Sequence, residues 1–133
     1  MIFSDGGARG NPGPAAFAFI IQSEKGEVVN SNSSYAGNCT NNQTEYLALI
    51  AALETAVNLK AEKVTCHLDS ELVVKQLTGE YRVKNKELKL LWQKAKGLTK
   101  QFKEVQFVSV PRTHRTIQAA DKLVNLILDA ESK

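Results

Sequence analysis

At 133 residues, with a net charge of +3 and two cysteines, the chain has the size of one domain and too few cysteines for a disulfide framework. A globule of this length buries roughly two-thirds of its surface, so it needs neither disulfides nor a structural metal to fold. No apolar stretch approaches the roughly 20 residues of a membrane span and no signal peptide precedes residue 5, so we expect one cytoplasmic domain, residues 1–133, without membrane association.

The first third of the sequence predicts three strands. Residues 1–4 are short and apolar, and the glycine- and proline-rich residues 6–14 predict a long turn. Residues 15–21 form a near-continuous apolar run, typical of a strand buried on both faces. Residues 24–27 predict a hairpin turn, and the polar strand that follows to about Tyr35 is expected at a sheet edge.

Helices and strands alternate in the rest of the chain. Between about Asn42 and Asn58, apolar residues recur at the spacing of a helix packed on a core, at Tyr46, Leu49, Ile50, Leu53 and Val57. The same patterns predict a strand at 64–68, helices at 70–77 and 86–100, a strand at 104–110 and a last helix at 116–130.

The resulting order, βββαβααβα, predicts the α/β class. The three short-looped strands are expected to pair antiparallel, whereas strands separated by helices favour parallel pairing with right-handed crossovers. We therefore expect a five-stranded mixed sheet flanked by helices. In such sheets, sites gather at the carboxyl ends of parallel strands and at the helix starts that face them.

Four carboxylates occupy such positions, at a strand edge or in the first turn of a predicted helix: Asp5, Glu45, Asp69 and Asp121. Each has an ordinary explanation: a turn at Asp5, a capping box between Asn42 and Glu45, a helix cap at Asp69 and a favourable helix dipole at Asp121. Placed together, however, ionised carboxylates repel one another and need divalent cations to coexist. Paired hard cations on carboxylates catalyse phosphodiester hydrolysis. The four acids are therefore candidate catalytic and metal-binding residues.

A basic segment, residues 82–103, is the second functional signal. It holds eight lysines and arginines against one acid, Glu87. Many runs of charged residues are simply the solvent-exposed face of a helix. Here, however, there are almost no acids to form the ion pairs that usually stabilise such a face. A concentrated cationic face suits a polyanion such as nucleic acid.

The residues around the acids resemble type 1 ribonuclease H. The match comprises DGGARGNPGP at 5–14, TNNQTE at 40–45, LDS at 68–70 and ADKLVN at 120–125, in order and over nearly the whole chain. The first two motifs are highly specific together. The resemblance implies a ribonuclease H-like fold and an endonuclease that cuts the RNA strand of an RNA–DNA hybrid, leaving 5′-phosphate and 3′-hydroxyl ends.

The resemblance also implies a cofactor. The four acids would hold two Mg²⁺ ions, which Mn²⁺ can replace, one activating a water and the other stabilising the departing 3′ oxygen. Asp5 is expected to bridge both ions, with Glu45 and Asp69 on the first and Asp121 completing the second.

Five further residues match family positions that contact the hybrid. Asn41 and Asn42 correspond to minor-groove contacts, where an amide can both donate to and accept from a 2′-hydroxyl. Asn11 and the glycines around it, including Gly7, match a loop beside the cleaved strand, and Thr40 matches a contact to a phosphate of the DNA strand. Turn and cap chemistry accounts for the same residues, and both roles can coexist.

The chain looks like the short form of the family, without an extended basic handle or a hybrid-binding domain. Arg82, Lys84 and Lys86 would offer a smaller cationic surface, and a monomer without an obligate protein partner is expected. His114 is near the place where some relatives carry a histidine that assists water activation or product release, although a solvated loop histidine is an equal alternative. Glu71 stands where some relatives have a substrate-contacting glutamine, so no role is assigned to it.

Two rival functions remain open on the sequence alone. Another two-metal nuclease, such as an exonuclease or a junction resolvase, could use the same fold. A nucleic-acid-binding module with purely structural acids is the rival from a different class.

Overall fold

The computed structural model describes residues 1–132, which form five strands and four helices in the predicted order. The strands are β1 (Ile2–Ala8), β2 (Gly13–Gln22), β3 (Val28–Cys39), β4 (Lys63–Leu68) and β5 (Glu104–Ser109). The helices are α1 (Asn41–Asn58), α2 (Glu71–Leu77), α3 (Lys86–Thr99) and α4 (Arg115–Glu131). Within residues 1–132, no helix combines the length and apolar character needed to cross a bilayer.

The strands form one mixed sheet in the order β3-β2-β1-β4-β5. β2 pairs antiparallel with both β1 and β3, whereas β4 pairs parallel with both β1 and β5. The predicted α/β class and mixed sheet are therefore confirmed. β3 lies at the edge that its polar sequence predicted, and its residues are exposed or half-buried.

Two apolar clusters hold the helices against the sheet. α1 buries its predicted stripe, in which Tyr46, Leu49, Ile50 and Leu53 are at most 4% exposed and Val57 is half-buried. Full burial of an aliphatic side chain contributes about 1.5–3 kcal/mol, so this stripe fixes α1 on the sheet. α4 packs on the opposite face of the sheet from α1. Successive residues of β2 point to opposite faces, so Phe19 and Ile21 join the cluster with α1, whereas Ala18 and Ile20 join the cluster with α4.

β1 is longer, and the turn after it shorter, than the sequence predicted. The predicted turn over residues 6–14 was wrong, because β1 continues to Ala8, which lies opposite Ala15 in the antiparallel ladder with β2. Residues 9–12 connect the two strands. Asp5 therefore lies within β1, opposite Ala18 of β2, rather than at the end of the strand.

Glu45 and Asp121 both lie beyond the first turn of their helices, contrary to the prediction. Thr40 is the N-cap of α1 and forms a capping box with Gln43, so Glu45 lies in the second turn. α4 begins at Arg115, so Asp121 also lies in a second turn. The prediction of first-turn positions was wrong for both acids. For Glu45 the reason is that Thr40 rather than Asn42 is the cap, whereas Asp121 is already the sixth residue of a helix that begins at the predicted residue 116.

Candidate active site

The four predicted acids line one cleft. It has a volume of about 730 Å³ and lies between β1, the end of β4, α1 and α4, with Asp5, Glu45, Asp69 and Asp121 on its walls. Three different kinds of element thus deliver the acids: a strand interior, a strand end and two helices. The fold therefore brings together carboxylates from four distant parts of the sequence.

Strand register places Asp5 beside Asp69. Phe3 of β1 lies opposite His67 of β4 in the parallel ladder, and each acid follows two residues later, on the same face of the sheet. One carboxylate oxygen from each of Asp5, Glu45 and Asp69 lies within 4.8 Å of the others. We call these three residues the carboxylate cluster.

Glu45 reaches the cluster because α1 approaches β1 at very short range. The backbone N–H of Gly6 donates a hydrogen bond of 3.1 Å to Oε1 of Glu45. A Cβ atom on Gly6 would lie 2.6 Å from the carbonyl carbon of Thr44, so a side chain there would separate the two elements. The other oxygen of Glu45, Oε2, is buried and finds no hydrogen-bond partner among residues 1–132.

The structural explanations for Glu45 and Asp69 do not hold. Gln43, not Glu45, closes the capping box of α1. Ser70 is the N-cap of α2 and accepts a hydrogen bond of 3.3 Å from the N–H of Val73, so Asp69 is not needed as a cap. Neither carboxylate is therefore needed to cap its helix.

Burial and the neighbouring acids raise the pKa values of two of the acids, Asp5 and Glu45. Burial, followed by the charges of Asp69 and Asp121, raises the pKa of Asp5 to about 7. Burial, followed by the charges of Asp5 and Asp69, raises the pKa of Glu45 well above its ordinary value, although the Gly6 N–H opposes this change. The site therefore disfavours full ionisation, and a bound cation would relieve both causes.

The donor set fits hard divalent cations. Carboxylate oxygens are the ligands that Mg²⁺ and Mn²⁺ prefer in proteins. The unpartnered Oε2 of Glu45 is a buried acceptor whose desolvation is costly unless a cation or donor meets it. Asp5, Glu45 and Asp69 could hold one ion, and Asp121 lies in the same cleft to assist with a second.

The loop between β5 and α4 contributes a residue that sequence reasoning missed. Nε of Arg112 lies 3.3 Å from Oδ2 of Asp69 and the side chain lines the cleft. His114, the sequence candidate from this loop, instead caps α4 and stacks on Phe3 at 5.1 Å. No local pattern distinguished Arg112 from neighbouring basic residues such as Arg115, because its position depends on tertiary packing.

The predicted hybrid-contacting residues gather at the start of α1. Asn41 accepts a hydrogen bond of 2.9 Å from the Ala8 N–H, and its own N–H donates one of 3.0 Å to Oδ1 of Asn11. Thr40 caps the helix, while Gly7, like Asn42, lines the cleft. Their cap and turn roles are thus real, and their contacts to nucleic acid stay predictions.

The basic residues lie beside this group. Arg82, Lys84 and Lys86 are exposed, in the short connection from α2 to α3 and at the first residue of α3. Nε2 of Gln43 donates a hydrogen bond of 3.0 Å to Oε2 of Glu87, which joins the starts of α1 and α3. The start of α3, which carries Lys86, is therefore joined to the start of α1, and nucleic-acid binding by these three basic residues stays a prediction.

Comparison with known proteins shows the family. The reverse transcriptase-like family model matches residues 3–127. A bifunctional protein of Mycobacterium tuberculosis is 40% identical over 134 residues, a match that covers 100% of this chain and 36% of that protein. The chain thus spans about a third of the length of this relative.

Solved structures match along almost the whole chain. RNase H1 from the halophilic archaeon Halobacterium salinarum superposes with a TM-score of 0.92 at 40% identity, covering 97% of this chain and 96% of that one. LC11-RNase H1 in complex with an RNA/DNA hybrid gives a TM-score of 0.91 at 39% identity, covering 99% and 98%. The chain therefore belongs to the reverse transcriptase-like family and, as its motifs predicted, resembles type 1 ribonuclease H over nearly its entire length.

Proposed function

We propose that this domain is an endonuclease that hydrolyses the RNA strand of RNA–DNA hybrids. The observation that carries the proposal is the convergence of Asp5, Glu45 and Asp69 to within 4.8 Å, in a cleft that Asp121 also lines. The similarity to RNase H1 structures, one of them in complex with an RNA/DNA hybrid, supports the choice of substrate.

The four acids would hold two Mg²⁺ ions, with Mn²⁺ as a substitute. In this proposal Asp5 serves both ions, Glu45 and Asp69 complete the first, and Asp121 completes the second. Bound there, the pair would supply an activated water and neutralise charge at the scissile phosphate, giving 5′-phosphate and 3′-hydroxyl ends. The protein itself contributes the fixed geometry: Gly6 holds Glu45 through its N–H, so the buried carboxylate needs little rearrangement.

The start of α1 would recognise the hybrid. Asn41 and Asn42 offer amides to the minor groove, where the 2′-hydroxyl distinguishes RNA from DNA. Thr40, at the N-terminus of α1, suits a phosphate of the DNA strand, since helix N-termini attract anions. Gly7 and Asn11 border the path of the cleaved strand, where a missing side chain permits close approach.

A cationic surface would extend the contact beyond the cleft. Arg82, Lys84 and Lys86 are exposed near the start of α3, where they can approach the phosphates of a bound duplex. Every residue used here comes from one chain, so we propose that the domain acts as a monomer.

The direct test is hydrolysis of an end-labelled hybrid in Mg²⁺. We expect cleavage by the native chain, none by Asp5→Asn or Asp69→Asn, and new ends that carry a 5′-phosphate and a 3′-hydroxyl. Asp129→Asn is the matched control for Asp121→Asn, because both acids are exposed on α4 but Asp121 lines the cleft, whereas Asp129 pairs with Arg9. Asp121→Asn should lose activity, whereas Asp129→Asn should keep it.

The substrate panel separates the rival functions. Hybrid, single-stranded RNA, duplex DNA and branched DNA are compared under the same conditions, with circular hybrids to detect internal cuts. Preference for branched DNA, or digestion only from ends, would contradict the proposal. Hybrid binding without any cleavage in Mg²⁺ or Mn²⁺ would identify a binding module instead.

A further inference from the structure

An arginine contacts the carboxylate cluster from the rim of the cleft. Arg112 lies in the β5–α4 loop with Nε 3.3 Å from Oδ2 of Asp69. The side chain of Asp69 is 11% exposed and that of Arg112 is 89% exposed. The ion pair therefore joins a nearly buried acid to a cation that reaches in from solvent.

The backbone around Arg112 is held on both sides. The N–H of Val110 donates a hydrogen bond of 2.8 Å to the carbonyl of Leu68, at the end of β4. Two residues after Arg112, the N–H of His114 donates one of 2.9 Å to the carbonyl of Pro111, and His114 caps α4. The guanidinium can thus leave Asp69 by rotation of its own exposed side chain, without movement of the loop.

A guanidinium and a divalent cation compete for the negative charge of the Asp69 carboxylate. Arg112 occupies Oδ2 of Asp69, and a divalent cation bound to the same carboxylate would repel the guanidinium strongly at contact distance. The ionised carboxylates of the cluster repel one another, so a positive charge near them stabilises the metal-free protein. Arg112 supplies one positive charge and therefore neutralises the carboxylate cluster less completely than two divalent ions would.

We infer that Arg112 is an internal counter-cation of the carboxylate cluster, which leaves Asp69 when a divalent cation binds and thereby weakens the apparent affinity for that ion. This inference rests on the proposed function only in that Asp5, Glu45 and Asp69 bind a cation. It assigns Arg112 a positioning role through Asp69, since the guanidinium contacts the carboxylate and not the ion.

The test measures Mg²⁺ binding without nucleic acid, by calorimetry and by the thermal unfolding midpoint over a Mg²⁺ series. Arg112→Ala should bind Mg²⁺ about two- to five-fold more tightly than the native chain, the range expected from a partly exposed ion pair. It should melt at a lower temperature in EDTA, and this deficit should shrink as Mg²⁺ saturates the site. Arg112→Lys, which keeps the charge, should stay closer to the native chain.

Arg115→Ala is the matched control, because it removes the same charge at the first residue of α4, where Arg115 is exposed. Equal effects of the Arg115 and Arg112 variants would overturn the inference, since long-range charge would then explain both. Native-like or weaker Mg²⁺ affinity in Arg112→Ala would also overturn it. Arg112→Gln replaces Arg112→Ala if the latter fails to fold.

Failure of the underlying function looks different. If the native chain shows no saturable Mg²⁺ binding and no stabilisation by Mg²⁺, the proposed metal site itself is wrong. If the native chain binds Mg²⁺ but Arg112→Ala binds it no better, only the counter-cation inference fails.

Discussion

The N–H of Gly6 and Oε1 of Glu45 are joined by a 3.1 Å hydrogen bond across 39 positions of the sequence. This bond fixes the start of α1 over β1 and places a buried carboxylate beside Asp5. It is possible because residue 6 has no side chain, as Thr44 occupies the space that a Cβ would need. The proposed chemistry therefore depends on the absence of a side chain at residue 6, which is not itself a catalytic residue.

Replacing Gly6 or its neighbour Gly7 by alanine should change the stability of the protein to very different extents. Gly6→Ala should lower the free energy of unfolding by about 1–3 kcal/mol or more, because its Cβ would clash with the Thr44 backbone. Gly7→Ala should be nearly neutral, since its Cβ would meet only Cγ1 of Val124 at an ordinary 3.7 Å. Urea unfolding of both variants measures the difference, and similar losses would contradict the steric argument.

Neutralising Glu45 should stabilise the metal-free protein. Burial and the neighbouring acids raise the pKa of Glu45, so the folded chain resists its ionisation. Glu45→Gln keeps an acceptor for Gly6 and removes this ionisable group, so we expect the free energy of unfolding at pH 8 in EDTA to rise by about 1–3 kcal/mol. The same variant should lose the stabilisation that Mg²⁺ gives to the native chain. Glu54→Gln, an exposed acid on the same helix, is the control and should behave like the native chain in both measurements. A less stable Glu45→Gln variant in EDTA would refute this account of the site.

Stability of the metal-free protein should fall as pH rises from about 4 to about 7. The pKa of Asp5 is about 7 in the folded chain against an ordinary 3.8, so the folded state holds this proton more tightly. Stability from this proton is fully present below the ordinary value and lost as pH rises through the folded value. Relative to the native chain, Asp5→Asn should gain about 2–4 kcal/mol across this window, measured by urea unfolding in EDTA. A difference that does not vary with pH would show that Asp5 titrates normally.

Hybrid binding should weaken steeply with salt. We expect the slope of log affinity against log salt to lessen by about one for each of Lys84→Ala and Lys86→Ala, measured in EDTA with the Asp69→Asn chain so that no cleavage occurs. Lys25→Ala removes another exposed lysine, from the β2–β3 hairpin, and should leave the slope unchanged. Salt-insensitive binding, or an equal effect of Lys25, would exclude this surface as the contact.

Local patterns predicted the elements well and their ends less well. The apolar stripe of α1 needs only the helical repeat, and four of its five predicted positions are buried while the fifth, Val57, is half-buried. The start of α1 was misplaced because Thr40 and Asn42 are both good caps, and only Gln43 in contact with Thr40 decides between them. β1 was cut short because its glycines predicted a turn, whereas pairing with β2 keeps them extended.

The acids of the site could be found from sequence motifs, but Arg112 could not. Asp5, Glu45, Asp69 and Asp121 belong to stretches with specific neighbours and spacing. Arg112 contacts Asp69 only because β4 and β5 are adjacent and the loop after β5 returns over the cleft. Such a contact between side chains 43 positions apart carries no local signature.

The four acids reside on separate elements, and the last of them lies on the final helix, α4. A nascent or truncated chain that lacks this helix would present at most three of the four side chains and should be catalytically silent. Cleavage would then report that this domain has folded through α4.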